Sequence, residues 1–240
     1  MKGVIHFHSE YSHDSLNSLD AIIDEALSNN LDFLILTDHE NIEGSIRLKN
    51  RVQERGLDII VPIAAEYKTN FGDVIAAFIN KDVKNMNLDS FVNEIRDQNG
   101  IIILPHPFEG HPEEKLEEII QIADLVEIYN PRCTHIQDKK ARDLAIKYGK
   151  ATYYGSDAHV KKELCNVIVS IECERSEESL KNSLLEKPIK PLIFSKTVYR
   201  FITYSQMIKA FKRRSIRIFY RNFIGLIIDS LRQGWNNKVN

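Results

Sequence analysis

Up to residue 195 the chain alternates short β-type runs with segments of helical periodicity. That alternation confines it to α/β folds in which helices cross over between the strands of a parallel sheet. The β-type runs fall at residues 2–8, 32–37, 58–64, 74–79, 101–104, 125–129, 151–155 and 167–171. Helical periodicity covers residues 19–28, 43–55, 88–98, 112–123, 136–148 and 176–186. Gly56, Gly100 and Gly149 follow their helices as left-handed C-caps would, and Pro112 stands where a first-turn proline is tolerated. No internal repeat or low-complexity segment interrupts the pattern. Seven or eight strand–helix alternations, with polar residues recurring at one end of the strands, fit a compact (β/α) barrel better than a doubly wound sheet, which is the competing fold.

Composition narrows the class further. With 43% hydrophobic and 28% charged residues over 240 positions, the chain reads as an ordinary globular protein rather than a disordered or fibrous one. The amino terminus enters a strand at once, without the successive regions of a signal peptide, and no apolar run reaches the roughly 18 residues of a membrane span. Cys133, Cys165 and Cys173 are odd in number and form no C-x-x-C pair, so reduced, packing thiols and a cytoplasmic location are expected. The net charge of −2 hides an asymmetry. From Lys196 onward ten Lys/Arg face the single acid Asp229, whereas residues 1–195 hold 22 basic and 33 acidic side chains.

The polar residues at the strand ends carry the chemistry. His6 and His8 are two apart on an expected strand, so both would face the same way and could share one metal ion. Asp38-His39 follows the second run, Glu66 the third, Pro105-His106-Pro107 the fifth, Asn130 the sixth and Asp157-Ala158-His159 the seventh. In a parallel barrel the strand C-termini share one mouth, where catalytic groups gather. Helix caps and loops would account for Asp and Asn at such places, but not for five of the eight histidines, since His is no preferred cap. The first turn adds Asp14, with His13 as the alternative ligand.

These residues match a known family. His6-Phe7-His8-Ser9, Thr37-Asp38-His39, the strand end at Glu66, Pro105-His106-Pro107-Phe108 and Gly155-Ser156-Asp157-Ala158-His159 together resemble the PHP family, named after polymerase and histidinol phosphatase. The resemblance covers residues 3–187 and is to small stand-alone members. It implies a distorted (β/α)7 TIM-like barrel that holds two or three divalent ions and hydrolyses phosphoesters. On that pattern His6, His8, Glu66 and Asp157 hold one ion, Glu66 bridges to a second with His106, and Asp14, His39 and His159 hold a third. Glu66, Asp157 and His159 are then the catalytic group. The sequence departs from the pattern after the sixth strand, where some members supply His or Cys and this chain has Asn130, left as a metal or substrate contact.

A donor set of imidazoles and carboxylates suits Zn, Mn or Fe(II). Paired ions can activate a water and clamp the attacking and leaving oxygens, so no protein nucleophile is needed. Consistently, there is no nucleophile elbow, phosphate-cradling glycine loop or dinucleotide fingerprint. Arg132, two residues beyond Asn130, is placed to fork onto substrate phosphate, and His13, His111 and His135 are further loop histidines for substrate or proton transfer. The expected substrate is a small phosphorylated metabolite or a nucleotide; the competing readings are a nuclease and a catalytically weak metal-binding module. Residues 1–195 are read as the barrel and residues 196–240 as an appended basic extension. In it Ile216, Phe219, Phe223, Ile227, Leu231 and Trp235 mark an amphipathic helix with Arg214, Arg217 and Arg221 on another side. Such a helix could pack on the barrel, contact an anionic membrane or nucleic acid, or join copies of the chain.

Overall fold

A computed structural model describes residues 1–214. Its elements run in the order β1 (Lys2–Ile5), α1 (Leu19–Ser28), β2 (Phe33–Ile35), α2 (Glu43–Glu54), β3 (Ala64–Thr69), β4 (Gly72–Ala77), α3 (Leu88–Arg96), β5 (Ile101–Leu104), α4 (Leu116–Ile122), β6 (Leu125–Tyr129), α5 (His135–Lys147), β7 (Ala151–Tyr154), β8 (Val167–Ser170), α6 (Glu177–Glu186), β9 (Lys190–Phe194) and α7 (Tyr199–Lys212). Helix starts follow from side chains that satisfy exposed backbone donors. Ser18 accepts the Ala21 N–H, Ser176 accepts that of Ser179, and Thr134 with Gln137 forms a reciprocal capping box at α5. Gly56 and Gly149 take the left-handed C-cap conformation as expected, but at the end of α3 Asn99 takes it instead of Gly100. Gly100 is needed for room, since a Cβ there would lie 2.7 Å from the Ile79 side chain.

The strands form two mixed sheets, one ordered β2-β1-β8-β9 and the other β3-β4-β5-β6-β7. β1–β2, β5–β6 and β6–β7 are parallel pairs, as the alternation implies. Around β4 the all-parallel expectation fails. β3 and β4 make an antiparallel hairpin in which Thr69 pairs with Gly72, and β5 runs antiparallel to β4. The β3–β4 connection is too short to cross over, so those two strands must reverse. The expected third strand at 58–64 is also displaced: Ile60 makes only an isolated bridge to Phe33, and the regular strand begins at Ala64.

The ladders do not close into a continuous barrel. The two sheets meet through isolated parallel bridges, Phe33 with Ile60 and His39 with Glu66 on one side, and Phe7 with Ala158 on the other. The backbone itself opens the seam. β1 stops at Ile5 because His6 turns to φ 65°, and Asp157, facing it beyond β7, has φ 46°. His6 and His8 therefore do not owe their shared direction to strand alternation. Single hydrogen bonds hold the crossing instead, from the Ser156 N–H to the Ile5 carbonyl at 2.9 Å and from the His8 N–H to the Ala158 carbonyl at 2.9 Å.

Between the sheets Ile5, Phe33, Ile35, Ile75, Ile101, Ile103, Leu125 and Tyr153 pack into one core, and α3, α4 and α5 cover the far face of the five-stranded sheet over Ile102, Leu104, Val126 and Ile128. Burial on both faces explains why these strands read as unbroken apolar runs. Each fully buried Ile or Leu contributes roughly 1.5–3 kcal/mol. Cys133 is buried, Cys165 and Cys173 are half-buried, and all three are free thiols.

No linker marks residue 196. Ser195 donates its N–H to the Asn166 carbonyl, Thr197 donates to Pro131, and α7 follows. The amphipathic helix read at residues 216–235 lies outside the described residues. Among the described residues no helix is long and apolar enough to cross a membrane.

Candidate metal centre

The ends of β1, β2, β5 and β7, the loop after β1 and the middle of β3 bring one cluster together. Three overlapping groups form in it: His8, Asp14, His39 and His159; His6, His8 and Asp157; and His6, Glu66 and His106. All eight ligands nominated from the sequence lie in these groups. Within each group the ligand atoms lie within 4.8 Å of one another. The grouping is less partitioned than the resemblance implies, because His8 joins the set around Asp14 and His6 falls in two sets.

The separations fit shared ions better than direct hydrogen bonds. Glu66 Oε1 lies 3.3 Å from His106 Nε2, while its Oε2 lies 3.3 Å from His39 Nδ1, 3.5 Å from His8 Nε2 and 3.7 Å from His6 Nε2. Asp14 Oδ2 is 3.2 Å from His39 Nε2 and its Oδ1 3.5 Å from His159 Nε2; Asp157 Oδ1 is 3.4 Å from His8 Nε2. Ligands about 2.0–2.1 Å from a tetrahedral ion stand about 3.4 Å apart. His6 Nε2, both His8 nitrogens and both Glu66 oxygens are buried without a hydrogen-bond partner. Buried polar atoms in that state are costly unless something charged satisfies them, so the donor set fits divalent ions held at this cluster.

Neighbouring groups orient the ligands. His6 Nδ1 is 2.9 Å from Glu127 Oε1, which leaves Nε2 facing the cluster. His159 Nδ1 faces the Asp157 carbonyl at 2.9 Å and His106 Nδ1 that of Glu109 at 3.0 Å, with the same consequence. Asp38 accepts the Ser9 N–H at 2.6 Å and its hydroxyl at 2.5 Å, pinning the turn that follows His8. Burial still raises the Asp38 carboxyl to about 6 against those two bonds. His6, His106 and Asp157 all have positive φ, a strained state for residues with a Cβ, and each of the three aims its side chain into the cluster.

The same crowding shifts the charges. Burial opposes charge on His39 and His106, but the surrounding carboxylates together outweigh it, Glu66 and Asp14 at His39 and Glu66, Glu127 and Asp157 at His106, and raise them to about 9 and about 10. His8 goes the other way, to about 3, because burial and the neighbouring His159 and His39 rings disfavour a proton. Burial alone would raise Glu66 and Asp157, yet the surrounding histidines hold both well below the usual carboxylate range.

Comparison with known proteins agrees with this geometry. The PHP domain model matches residues 5–212. This chain belongs to the PHP family. An uncharacterized protein of Methanocaldococcus jannaschii is 28% identical over 179 residues, 70% of each chain. Among solved structures, a two-domain protein of Bacteroides vulgatus containing a predicted PHP-like metal-dependent phosphoesterase superposes with a TM-score of 0.68 at 16% identity, over 81% of this chain but only 65% of that one. PsfC of Pseudomonas syringae gives a TM-score of 0.63 at 15% identity, over 87% of this chain and 97% of that one. At such identities the structural likeness speaks for the fold alone.

Against the PHP pattern, several residues sit in unexpected roles. Asn130 turns its amide NH2 to Glu127 Oε2 at 2.9 Å and to Asp157 Oδ2 at 3.2 Å, while its oxygen accepts the Arg132 N–H at 2.8 Å. A donating NH2 cannot ligate a cation, so in this arrangement Asn130 braces two carboxylates. Arg132 does not extend freely into the mouth; its guanidinium donates to Glu163 at 2.8 Å and to the Ser205 hydroxyl at 3.0 Å. His13 stacks on His39 with ring centroids 4.6 Å apart and approaches Asp14 Oδ2 at 3.4 Å. His111 faces the Phe71 and Pro105 carbonyls at 2.7 and 3.0 Å, and His135 opens α5. Sequence reasoning passed over Glu127, although a lone acid inside Leu125-Val126-Glu127-Ile128-Tyr129 signals a buried carboxylate that must have a partner. It passed over α7 as well, whose Lys209 Nζ lies 3.7 Å from Asp14 Oδ2.

Proposed function

We propose that this PHP chain is a metal-dependent phosphoesterase acting on a small phosphorylated molecule. The observation that carries the reading is the buried set of unpartnered His6, His8 and Glu66 ligand atoms, flanked by groups in which Asp14, His39, His106, Asp157 and His159 complete sets of three or four. The metal-dependent phosphoesterase fold that the family shares supports the same reaction class. Zn, Mn and Fe(II) suit imidazole and carboxylate donors, and two or three such ions would acidify a shared water and take up charge on the attacking and leaving oxygens.

The chain's own residues do the rest. Glu66, with histidines on both of its oxygens, spans the groups and keeps them at a fixed spacing. Glu127 fixes the ring of His6, and Asn130 holds Glu127 and Asp157 in place. Reconstitution of the full chain with Mn, Zn and Fe(II), followed by assay on a broad phosphoester panel, tests the reading. Hydrolysis that disappears with a chelator and returns with the ion is expected, and the reading fails if no ion supports hydrolysis of any member.

A further inference from the structure

The carboxy-terminal helix presents lysines to the rest of the molecule in two different ways. Lys212 Nζ donates to the carbonyls of Glu10, Ser12 and Ser15 at 2.8, 2.7 and 2.8 Å, all in the loop that carries Asp14. Lys196, just before the helix, donates to the carbonyls of Asn130 and Cys133 at 2.9 and 2.8 Å and to the Asp138 carboxylate. An ammonium has three donors, so both groups are fully committed, and together they clamp α7 between the loop after β1 and the loop after β6. Lys209 lies between these anchors in sequence and is the exception. Its Nζ approaches Asp14 Oδ2 at 3.7 Å, beyond hydrogen-bond range, and makes no hydrogen bond to the described residues. Among the described residues it is the one Lys or Arg within 4.0 Å of a carboxylate in the candidate ligand set. Its side chain is 26% exposed, so a solute at the mouth can reach it.

We infer that Lys209 is the cation that receives a non-bridging phosphate oxygen of the substrate, delivered to the centre by the basic carboxy-terminal segment. The inference rests on the proposed phosphoester reading. Arg132, the alternative cation, is committed to Glu163 and Ser205 and acts as a strut beneath the same helix. Asp14 is among the residues that would hold an ion, and a carboxylate shared with an ion would hold Lys209 less tightly, leaving the ammonium available to an anion at the mouth. A lysine suits this place because a flexible point charge can follow phosphate from ground state to product without a fixed fork geometry.

The test compares the metal-loaded full chain with Lys209→Ala and Lys209→Arg. Three readouts are taken: metal content by mass spectrometry, inorganic phosphate affinity by calorimetry, and kcat and KM on any phosphoester that the wild type hydrolyses. Lys209→Ala should keep its ions, weaken phosphate binding about tenfold or more and raise KM by a similar factor, with Lys209→Arg restoring most of both. Equal phosphate affinity in wild type and Lys209→Ala, no detectable phosphate binding by the loaded wild type, or loss of ions on substitution would each overturn the assignment. If the wild type hydrolyses nothing yet Lys209→Ala still weakens phosphate binding, the Lys209 site stands and the phosphoesterase reading falls.

Discussion

Glu66 is 1% exposed, has no hydrogen bond to either oxygen and lies within 3.7 Å of four histidine nitrogens. Only a compensating positive charge makes that position tenable; protonated His39 and His106 provide it in the ion-free chain, and divalent ions would provide it when bound. Glu66→Gln keeps the shape and removes the charge. The variant should bind at least one fewer ion per chain by mass spectrometry while its far-ultraviolet circular dichroism is unchanged; full occupancy would show that Glu66 does not span the groups. Glu127 works one step further out, through His6. Glu127→Gln is expected to weaken ion affinity about 10- to 100-fold in chelator competition, and an unchanged affinity would reduce the His6–Glu127 contact to packing. Gly155 belongs to the same arrangement, because a Cβ at that position would sit 1.6 Å from Glu127 Oε1. The strand-end histidines were legible in the sequence because His has no capping or packing reason to recur there. Glu127 was legible only as a buried acid in need of a partner; that the partner is His6, 121 residues away, depended on the fold.

At the scale of elements, five of the six helices read from the sequence begin and end within two residues of their observed bounds, while α4 begins at Leu116 rather than 112. Local side chains set their ends, and Thr134 shows the strength of one such signal. Thr134→Ala removes the acceptor for the Gln137 N–H and half of the capping box. It should cost about 1 kcal/mol, read as a lowered denaturation midpoint, and no shift would mean that α5 is held by packing alone. The strands were less legible. Nothing local separates a strand that crosses over from one that turns back, so the β3–β4 hairpin emerged only with its Thr69–Gly72 pairing. Helix α7 was hidden for a related reason: of its buried residues, Thr203, Ser205, Ile208 and Ala210, only Ile208 is a large apolar side chain, so they trace no apolar stripe. Lys212 holds this helix to the loop after β1. Lys212→Ala should therefore speed proteolytic cleavage near α7 well before global unfolding, and equal cleavage rates would show that the three carbonyl contacts contribute nothing.

For the whole molecule, an acidic body meets a basic carboxy-terminal segment, and the described part of that segment lies against the loops of the acidic cluster. Ions add to the same balance. Ligands that bind only the folded state stabilise it, by about 4 kcal/mol at a thousandfold excess over Kd, so chelation should lower the melting temperature and readdition restore it. Loading should also release protons. In the ion-free chain His39 and His106 titrate near 9 and 10, so both are protonated at pH 7 and must lose the proton that an ion replaces. Ion affinity should fall as pH falls. Calorimetry in buffers of different ionisation enthalpy would read the release, and buffer-independent heats would refute it.

Sequence alone determined the α/β class, most bounds of the first six helices and the donor types offered at the strand ends, because periodicity, caps and donor chemistry act over a few neighbouring positions. Tertiary structure decided what depends on partners far along the chain. It turned β4 against its neighbours, left two sheets meeting at bridged seams rather than one closed ladder, and placed Asn130 behind the ligands as a brace. It also engaged Arg132 with Glu163 and Ser205, and it carried Lys209 to Asp14 across nearly the whole sequence. A cation's electrostatic role depends on which oxygens surround it in space, and no local pattern encodes that.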